Sequence, residues 1–247
     1  MKVKIGSLKN VMKKATLNYV IPSVQLKFKN SKIISNMVTQ SMDAVIMLNL
    51  DNNILDIPPS DSFSFNFSDP NINVKPYIDL VDEDLVDADV SDEDIKIKTD
   101  KKQKLCFHFS SPDFVSSYSG TKPEIDEWFF EQEIDDEMMD KFNKIKKIAG
   151  KFGKIYFTIK DKILSVEATD KQTKFANSMK FELGKVDKKD ISLCFNFSNI
   201  NALLSLIKNS YSDFKFKIHI TENEKGGMVL FKRKDASENY YFVSKNE

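Results

Sequence analysis

Between Asp135 and Ala168 the spacing of apolar residues switches from a helical to a strand period. On a wheel of about 100° per residue with Met138 at the origin, Phe142, Ile145 and Ala149 fall within about 40° of it, forming one apolar stripe. Lys144, Lys147 and Lys151 fall on the opposite side. The pattern predicts an amphipathic helix stopped at Gly153, with one face on a scaffold and a row of ammonium groups on the other. Such a row suits a polyanion whose charge repeats along a line, although lysine also fills exposed helical positions that bind nothing. Past Gly153, Ile155, Phe157 and Ile159 alternate with Tyr156, Thr158 and Lys160 up to a turn at Lys160–Lys162, which reads as an antiparallel hairpin.

The same grammar stands near the N-terminus. An opening strand at Val3–Ile5 leads into a short helix from Ser7, with Leu8, Val11, Met12 and Ala15 as its stripe and Lys9, Lys13 and Lys14 beside them. VQLKFKNSKIISNMV then alternates through a turn near Asn30. The offset between the copies is about 130 residues. A second echo fixes it: FNFSDPNIN at Phe65–Asn73 returns as FNFSNIN at Phe195–Asn201, each at a strand end before an expected helix. Two diverged repeats therefore fill the chain, at residues 1–109 and 128–247. Residues 110–127, rich in serine, proline and glycine without periodicity, connect them.

Within the first repeat a turn at Met42–Asp43 opens a strongly apolar strand, and FSFNF is another strand. Pro76 is read as the first residue of a second helix, with Tyr77, Val81 and Leu85 on one side and Asp79, Glu83 and Asp87 on the other. DIKIKT and KQKLCFHF follow as strands. In the second repeat NSMKFEL and DISLCFNF precede a helix capped by Ser198 or Asn199, with Ile200, Leu203, Leu204 and Ile207 facing inward. FKFKIHI, MVLFKRK and NYYFVSK close the sheet. Each repeat is an α+β unit, two helices against an antiparallel sheet.

Charge narrows the function. Thirty-seven basic and thirty-seven acidic residues cancel, so contact with nucleic acid has to come from segregated charge such as the lysine row. The chain has no secretory apolar segment and no apolar run of membrane-spanning length, which reads as a soluble intracellular protein. Cys106 and Cys194 stand inside LCFHF and LCFNF at corresponding ends of the repeats and read as core thiols in a reducing compartment. The acidic run Asp87, Asp89, Asp92, Glu93 and Asp94 invites a metal for phosphoryl chemistry, but consecutive acids on a loop are usually a solvated segment. His108 and His219 lie in separate strands, where lone histidines are seldom ligands or bases. With no phosphate loop, CxxC or Ser/His/Asp spacing, no enzymatic activity, cofactor or metal is expected.

The order, length and repeat resemble the DNA polymerase sliding clamps of the proliferating cell nuclear antigen (PCNA) type, phage clamps included. The most specific stretches are QSMD at Gln40–Asp43, SDEDIKIKTDKKQKLCFHF at Ser91–Phe109, and YYFVSK at Tyr240–Lys245, similar to the family's YYLAPK tail. The resemblance covers essentially the whole chain. It implies two clamp domains per chain, and three chains joined head to tail in a homotrimeric ring with helices lining the hole and sheets outside. The joining edges it implies are Lys104–Phe109, with Lys104, Cys106, Phe107 and His108, and Phe175–Leu183, with Phe175, Met179 and Phe181. Double-stranded DNA, held by topology, would meet Lys9, Lys13, Lys14, Lys144, Lys147 and Lys151. DNA polymerase and a clamp loader are the implied partners. Partner peptides would dock on a pocket of Met42, Phe114, Val115, Tyr118, Tyr241 and Val243, each of which is also an ordinary structural residue where it stands. The implied setting is the site of DNA replication, which is a bacterial host's cytoplasm if the chain is phage-encoded.

Two departures stand out. Asp79, Glu83 and Asp87 lie where the family offers basic residues, and the helix from Asn199 offers mainly Asn201, Ser205 and Asn209. The QSMD turn is also shorter than in cellular clamps. These leave two alternatives: a DNA-bound platform for transcription or repair, and a ring-free peptide-binding scaffold.

Overall fold

The computed structural model describes residues 2–56, 63–99, 103–120, 122–123, 125, 127–169, 177–209, 216–223 and 226–244. Its contacts divide the chain into two units, Met1–Gln40 with Val45–Ser119, and Ser41–Ala44 with Gly120–Glu247.

The first unit runs β1 (Lys2–Lys4), α1 (Ile5–Ala15), β2 (Ser23–Lys29), β3 (Lys32–Val38), β4 (Ala44–Asp51), β5 (Phe63–Ser68), α2 (Pro70–Asn73), α3 (Lys75–Ile78), β6 (Leu85–Val90), β7 (Asp94–Lys98) and β8 (Lys104–His108). One antiparallel sheet has the order β1-β6-β7-β8, and β5, β2, β3 and β4 lie side by side in the other. The β2–β3 turn places Asn30 and Ser31 at positive φ, the two-residue hairpin expected there. The first part of the connector belongs to this unit. Val38 N donates to Ser116 O at 3.1 Å and Tyr118 N donates to Asn36 O at 2.9 Å, so residues 116–118 lie along β3.

The second unit repeats the order: β9 (Phe130–Glu133), α4 (Asp136–Phe152), β10 (Lys154–Lys160), β11 (Ile163–Ala168), β12 (Met179–Lys185), β13 (Ile191–Asn196), α5 (Phe197–Asn209), β14 (Phe216–Asn223), β15 (Gly226–Arg233) and β16 (Glu238–Val243). One sheet is β12-β11-β10-β13, and β16, β15, β14 and β9 are neighbours in the other. The β10–β11 turn again has two residues at positive φ, Asp161 and Lys162. The antiparallel strands of each unit thus fall in two sheets; alternation marks the buried face of a strand but not its neighbours.

The repeats differ at their second helix. The residues read as one helix from Pro76 to Asp87 are instead the short α3, a turn, and β6, in which Val86 and Ala88 are buried and Asp87 and Asp89 are exposed. Two features cause this. Pro76 lacks the N–H that would bond the Ile72 carbonyl, and the backbone leaves helical geometry at Val74 (φ −123°, ψ −52°), so α2 and α3 stay apart. LVDADV then alternates with period two and pairs with β1 and β7. In α5, where no proline intervenes, the helix is continuous and buries Ile200, Leu203, Leu204 and Ile207. Its cap is Asn196, two positions before Ser198 and three before Asn199: Asn196 Oδ1 accepts from Ser198 N at 3.1 Å.

Phe142 on α4 has no exposed surface, and its ring lies 5.3 Å from that of Phe181 and 6.5 Å from that of Phe231, joining the helix to both sheets of the unit. Phe142→Ala should therefore destabilise the fold by about 3–5 kcal/mol, read as a lower denaturant midpoint at an unchanged slope.

Candidate nucleic-acid and partner-binding surfaces

Helix α4 is built to show one face. The Asp135 side chain accepts from Met138 N at 2.8 Å, Asp136 and Glu137 occupy the first turn, Lys151 the last, and Gly153 ends the helix at φ 69°, all in the sense the helix dipole favours. Met138, Phe142, Ile145 and Ala149 are buried, whereas Lys144, Lys147 and Lys151 are exposed. Neighbouring lysines are engaged: Lys141 pairs with Glu137 at 2.6 Å and Lys146 donates to Ser205 Oγ at 3.3 Å. No ion pair to Lys144, Lys147 or Lys151 occurs among the described residues. The row is available to an external anion.

Helix α1 offers less than its sequence implied. Lys14 is 9% exposed, one turn on from the buried Val11 and beside the buried Ala15, so it is withdrawn from any DNA-facing row. Lys9 is spent on Asp79 at 3.1 Å, which also takes Lys75 at 2.6 Å. The hydrogen bonds from Lys75 and then Lys9 hold the Asp79 carboxyl below the usual range. Lys13, half-buried, is the remaining cation of the three. Asp79 and Asp87 do not share a helical face, since Asp87 sits on β6 and pairs with Lys2 at 3.0 Å.

Strands β8 and β12 each stand at an end of their sheet. On β8, Lys104, Cys106 and His108 are exposed while Phe107 is buried against Phe67 and Tyr77. Cys106 is therefore not the core thiol its alternation implied; only Cys194 is buried. An edge strand has one covered face, and Cys106 points away from it. Beside β8 lies a cavity of about 470 Å³ bordered by Phe67, Val74, Tyr77, Leu105 and Phe107. The adjacent Ile72, Tyr77 and Leu80 are 63%, 51% and 67% exposed, a cluster of open apolar surface near an unpaired edge. On β12, Phe181 is buried and Met179 half-buried, and Phe175 lies outside the described residues.

The residues assigned to a peptide pocket differ in exposure. Met42, at φ 55°, and Phe114 are each 76% exposed, Tyr118 and Val243 are half-buried, and Val115 and Tyr241 are buried. Val115 thus packs within the first unit and offers no surface for an anchor. Tyr241 forms part of the wall of a cavity of about 450 Å³ in the second unit, with Ile125, Trp128, His219, Leu230 and Lys232. The Trp128 ring lies 5.3 Å from that of His219, whose Nδ1 is 3.1 Å from Glu131 Oε2. Burial lowers the His219 pKa against the opposing pull of Glu131. Sequence reasoning missed Ile125, Trp128 and His219 here. The signal was there in the chain's one tryptophan, placed two residues before β9.

Asp43 of the QSMD turn is a structural anchor. Its carboxylate accepts from Asn199 Nδ2 at 2.9 Å, Asn196 Nδ2 at 3.2 Å and Ser41 Oγ at 2.6 Å, and its carbonyl accepts from Val243 N at 3.0 Å. The motif is thereby bound to the start of α5 and the end of β16.

No family model and no curated protein matches the sequence. Solved structures do match its fold. The chain is similar to A. fulgidus PCNA bound to the C-terminal region of FEN-1, at 12% identity and TM-score 0.70 over 100% of this chain and 98% of that one. It is also similar to PCNA from Entamoeba histolytica, at 14% identity and TM-score 0.69 over 99% and 98% of the two chains. A PCNA2–PCNA3 complex from Sulfolobus tokodaii matches at 12% identity and TM-score 0.64, over 100% and 99%. The chain has the sliding-clamp fold of the PCNA type. No helix among the described residues is long and apolar enough to cross a membrane.

Proposed function

We propose that this chain is a DNA polymerase processivity factor: a non-enzymatic clamp that closes as a homotrimer around duplex DNA and tethers the polymerase and other replication proteins. The observation that carries the reading is the open lysine row of α4 in a sliding-clamp fold, opposite a fully buried stripe. A ring holds DNA by topology, so the lysines need only a weak, sequence-blind attraction to phosphate. The free edges of β8 and β12, and the apolar surface beside β8, support head-to-tail joining of subunits. The test is topological: clamp placed on nicked circular duplex DNA by its loader should stay bound through gel filtration, and linearising the circle should release it. Equal retention on circular and linear DNA would reject encirclement.

The walled cavity supports docking of partner peptides in the same protein. Its lining of Ile125, Trp128, Leu230 and Tyr241, with Lys122, Lys232 and His219 among them, suits a partner segment that combines an aromatic or aliphatic anchor with acidic neighbours. Tyr241 is buried, so removing it would disturb the fold; the half-buried Trp128 is the better probe. Trp128→Ala should weaken the C-terminal peptide of the cognate polymerase by about 1–3 kcal/mol in calorimetric titration. Unchanged affinity in a folded variant would move the docking site elsewhere.

A ring-free scaffold has one observation in its favour. Lys14 is buried and Lys9 is neutralised by Asp79, so the first unit presents little open positive charge on α1. A monomeric mass in solution together with peptide binding would establish that reading instead.

A further inference from the structure

Three side chains on one face of β7 and β8 come together, Asp94 buried and Cys106 and His108 exposed. Asp94 and His108 are directly opposite in the β7–β8 register, and Cys106 lies two residues before His108 on the same face. Asp94 Oδ2 is 3.5 Å from Cys106 Sγ and 3.9 Å from His108 Nδ1, and Cys106 Sγ is 3.9 Å from His108 Nε2. One ligand atom from each of the three side chains can be chosen so that all lie within 4.8 Å of one another. Zinc bonds of about 2.0–2.3 Å at tetrahedral angles put ligand atoms about 3.3–3.6 Å apart, so rotation of the exposed imidazole is the main adjustment required.

We propose that Asp94, Cys106 and His108 form a binding site for a thiophilic divalent cation of the zinc class, with its fourth position open to water. The chemistry of the donor set selects the ion. A thiolate with an imidazole excludes magnesium and calcium, which take oxygen ligands, and one carboxylate with two softer donors suits tetrahedral zinc. The site is also held in place. Ser91 Oγ donates to Asp94 Oδ1 at 2.9 Å, which leaves Oδ2 directed at the cluster, and the ladder fixes the other two residues.

In the metal-free protein a cation already stands there. Lys96 Nζ is 3.2 Å from Asp94 Oδ2, and the Ser91 hydroxyl, then Lys96 and Cys106, hold the Asp94 carboxyl below the usual range. Desolvation and the Asp94 carboxylate push the Cys106 thiol pKa up. The incoming ion displaces the Lys96 ammonium, takes the sulfur as thiolate and releases one proton to solvent. Lys96 is thus a competitor for the ion and not a ligand. The ion clips the end strand β8 to β7 through side chains perpendicular to the sheet, so the outward backbone of β8 stays free.

Cobalt(II) is the probe, added alone to the full chain under a non-coordinating reductant. We expect a thiolate-to-cobalt absorption that saturates at one ion per chain and is bleached by zinc. Cys106→Ser should abolish the band, His108→Ala and Asp94→Asn should each weaken binding at least about tenfold, and Lys96→Ala should strengthen it. Zinc should also raise the thermal midpoint of the wild type and leave that of Cys106→Ser unmoved. Because Cys106 and His108 are exposed, their substitution leaves the core intact. No band, or a band that persists in Cys106→Ser and so belongs to Cys194, would overturn the proposal, as would tighter binding failing to appear in Lys96→Ala.

Discussion

With Lys144, Lys147 and Lys151 replaced together by glutamate, retention on circular duplex DNA is expected to fall at least about tenfold, and the dependence of loading on salt to flatten. Each lysine that meets a phosphate releases counterions, so three lost contacts reduce the slope of log affinity against log salt by about two to three. Reversal of sign adds repulsion that is strongest at low salt, where the screening length is longest. The fold should survive. All three side chains are exposed, none is paired among the described residues, and glutamate is as good a helix former as lysine. The unfavourable placement of new acids toward the C-terminal end of α4 costs a few tenths of a kcal/mol. The measurement is loader-dependent retention at two salt concentrations beside a thermal melt of each protein. Equal retention of mutant and wild type would place the DNA against some other face. A companion triple change on α1 should do far less, because Lys14 is buried and Lys9 already serves Asp79.

The contrast between α4 and α1 shows what the sequence could convey. On α4 the stripe of Met138, Phe142, Ile145 and Ala149 is long enough to set the whole orientation of the helix, and the lysines opposite follow from it. On the shorter α1 the same residue types are overruled by what packs around them, and periodicity carries no information about which flank is covered. The helix expected from Pro76 failed for a related reason. Tyr77, Val81 and Leu85 match a helical stripe, but Val86 and Ala88 match a strand equally well, and pairing with β1 and β7 decided between them. The echo of FNFSDPNIN in FNFSNIN was more reliable than either period, since it marks a strand-to-helix junction in both units. Least legible were the sites assembled across strands. In the sequence Asp94, Cys106 and His108 read as part of a solvated acidic run, a core thiol and a lone strand histidine. Only the register Asp94↔His108 puts them together. Trp128 and His219 meet by the same route, through the pairing of β9 with β14.

A proline at Cys106 should convert the proposed homotrimer into monomers while leaving the first unit folded. The choice of position follows from the ladder. Phe109 N donates to Glu93 O at 2.7 Å and Thr99 N donates to Gln103 O at 3.1 Å, so the pairs 93/109 and 99/103 are hydrogen-bonded. Antiparallel pairs alternate, and the register between them makes Ile95↔Phe107 hydrogen-bonded and Lys96↔Cys106 not. The Phe107 N–H therefore points into the sheet, and proline there would damage β7–β8 pairing and the packing on Phe67 and Tyr77. The Cys106 N–H points to the open side, where an edge strand tolerates proline and a partner strand would need the donor. Cys106→Ser keeps that donor and serves as the control, which also separates assembly from any loss of metal binding. Light scattering at tens of micromolar should give three times the 28.4 kDa chain mass for the wild type and Cys106→Ser, and one times that mass for Cys106→Pro. A wild type that is monomeric under these conditions would count against the ring itself. A trimeric Cys106→Pro would show that subunits meet through some surface other than the edge of β8.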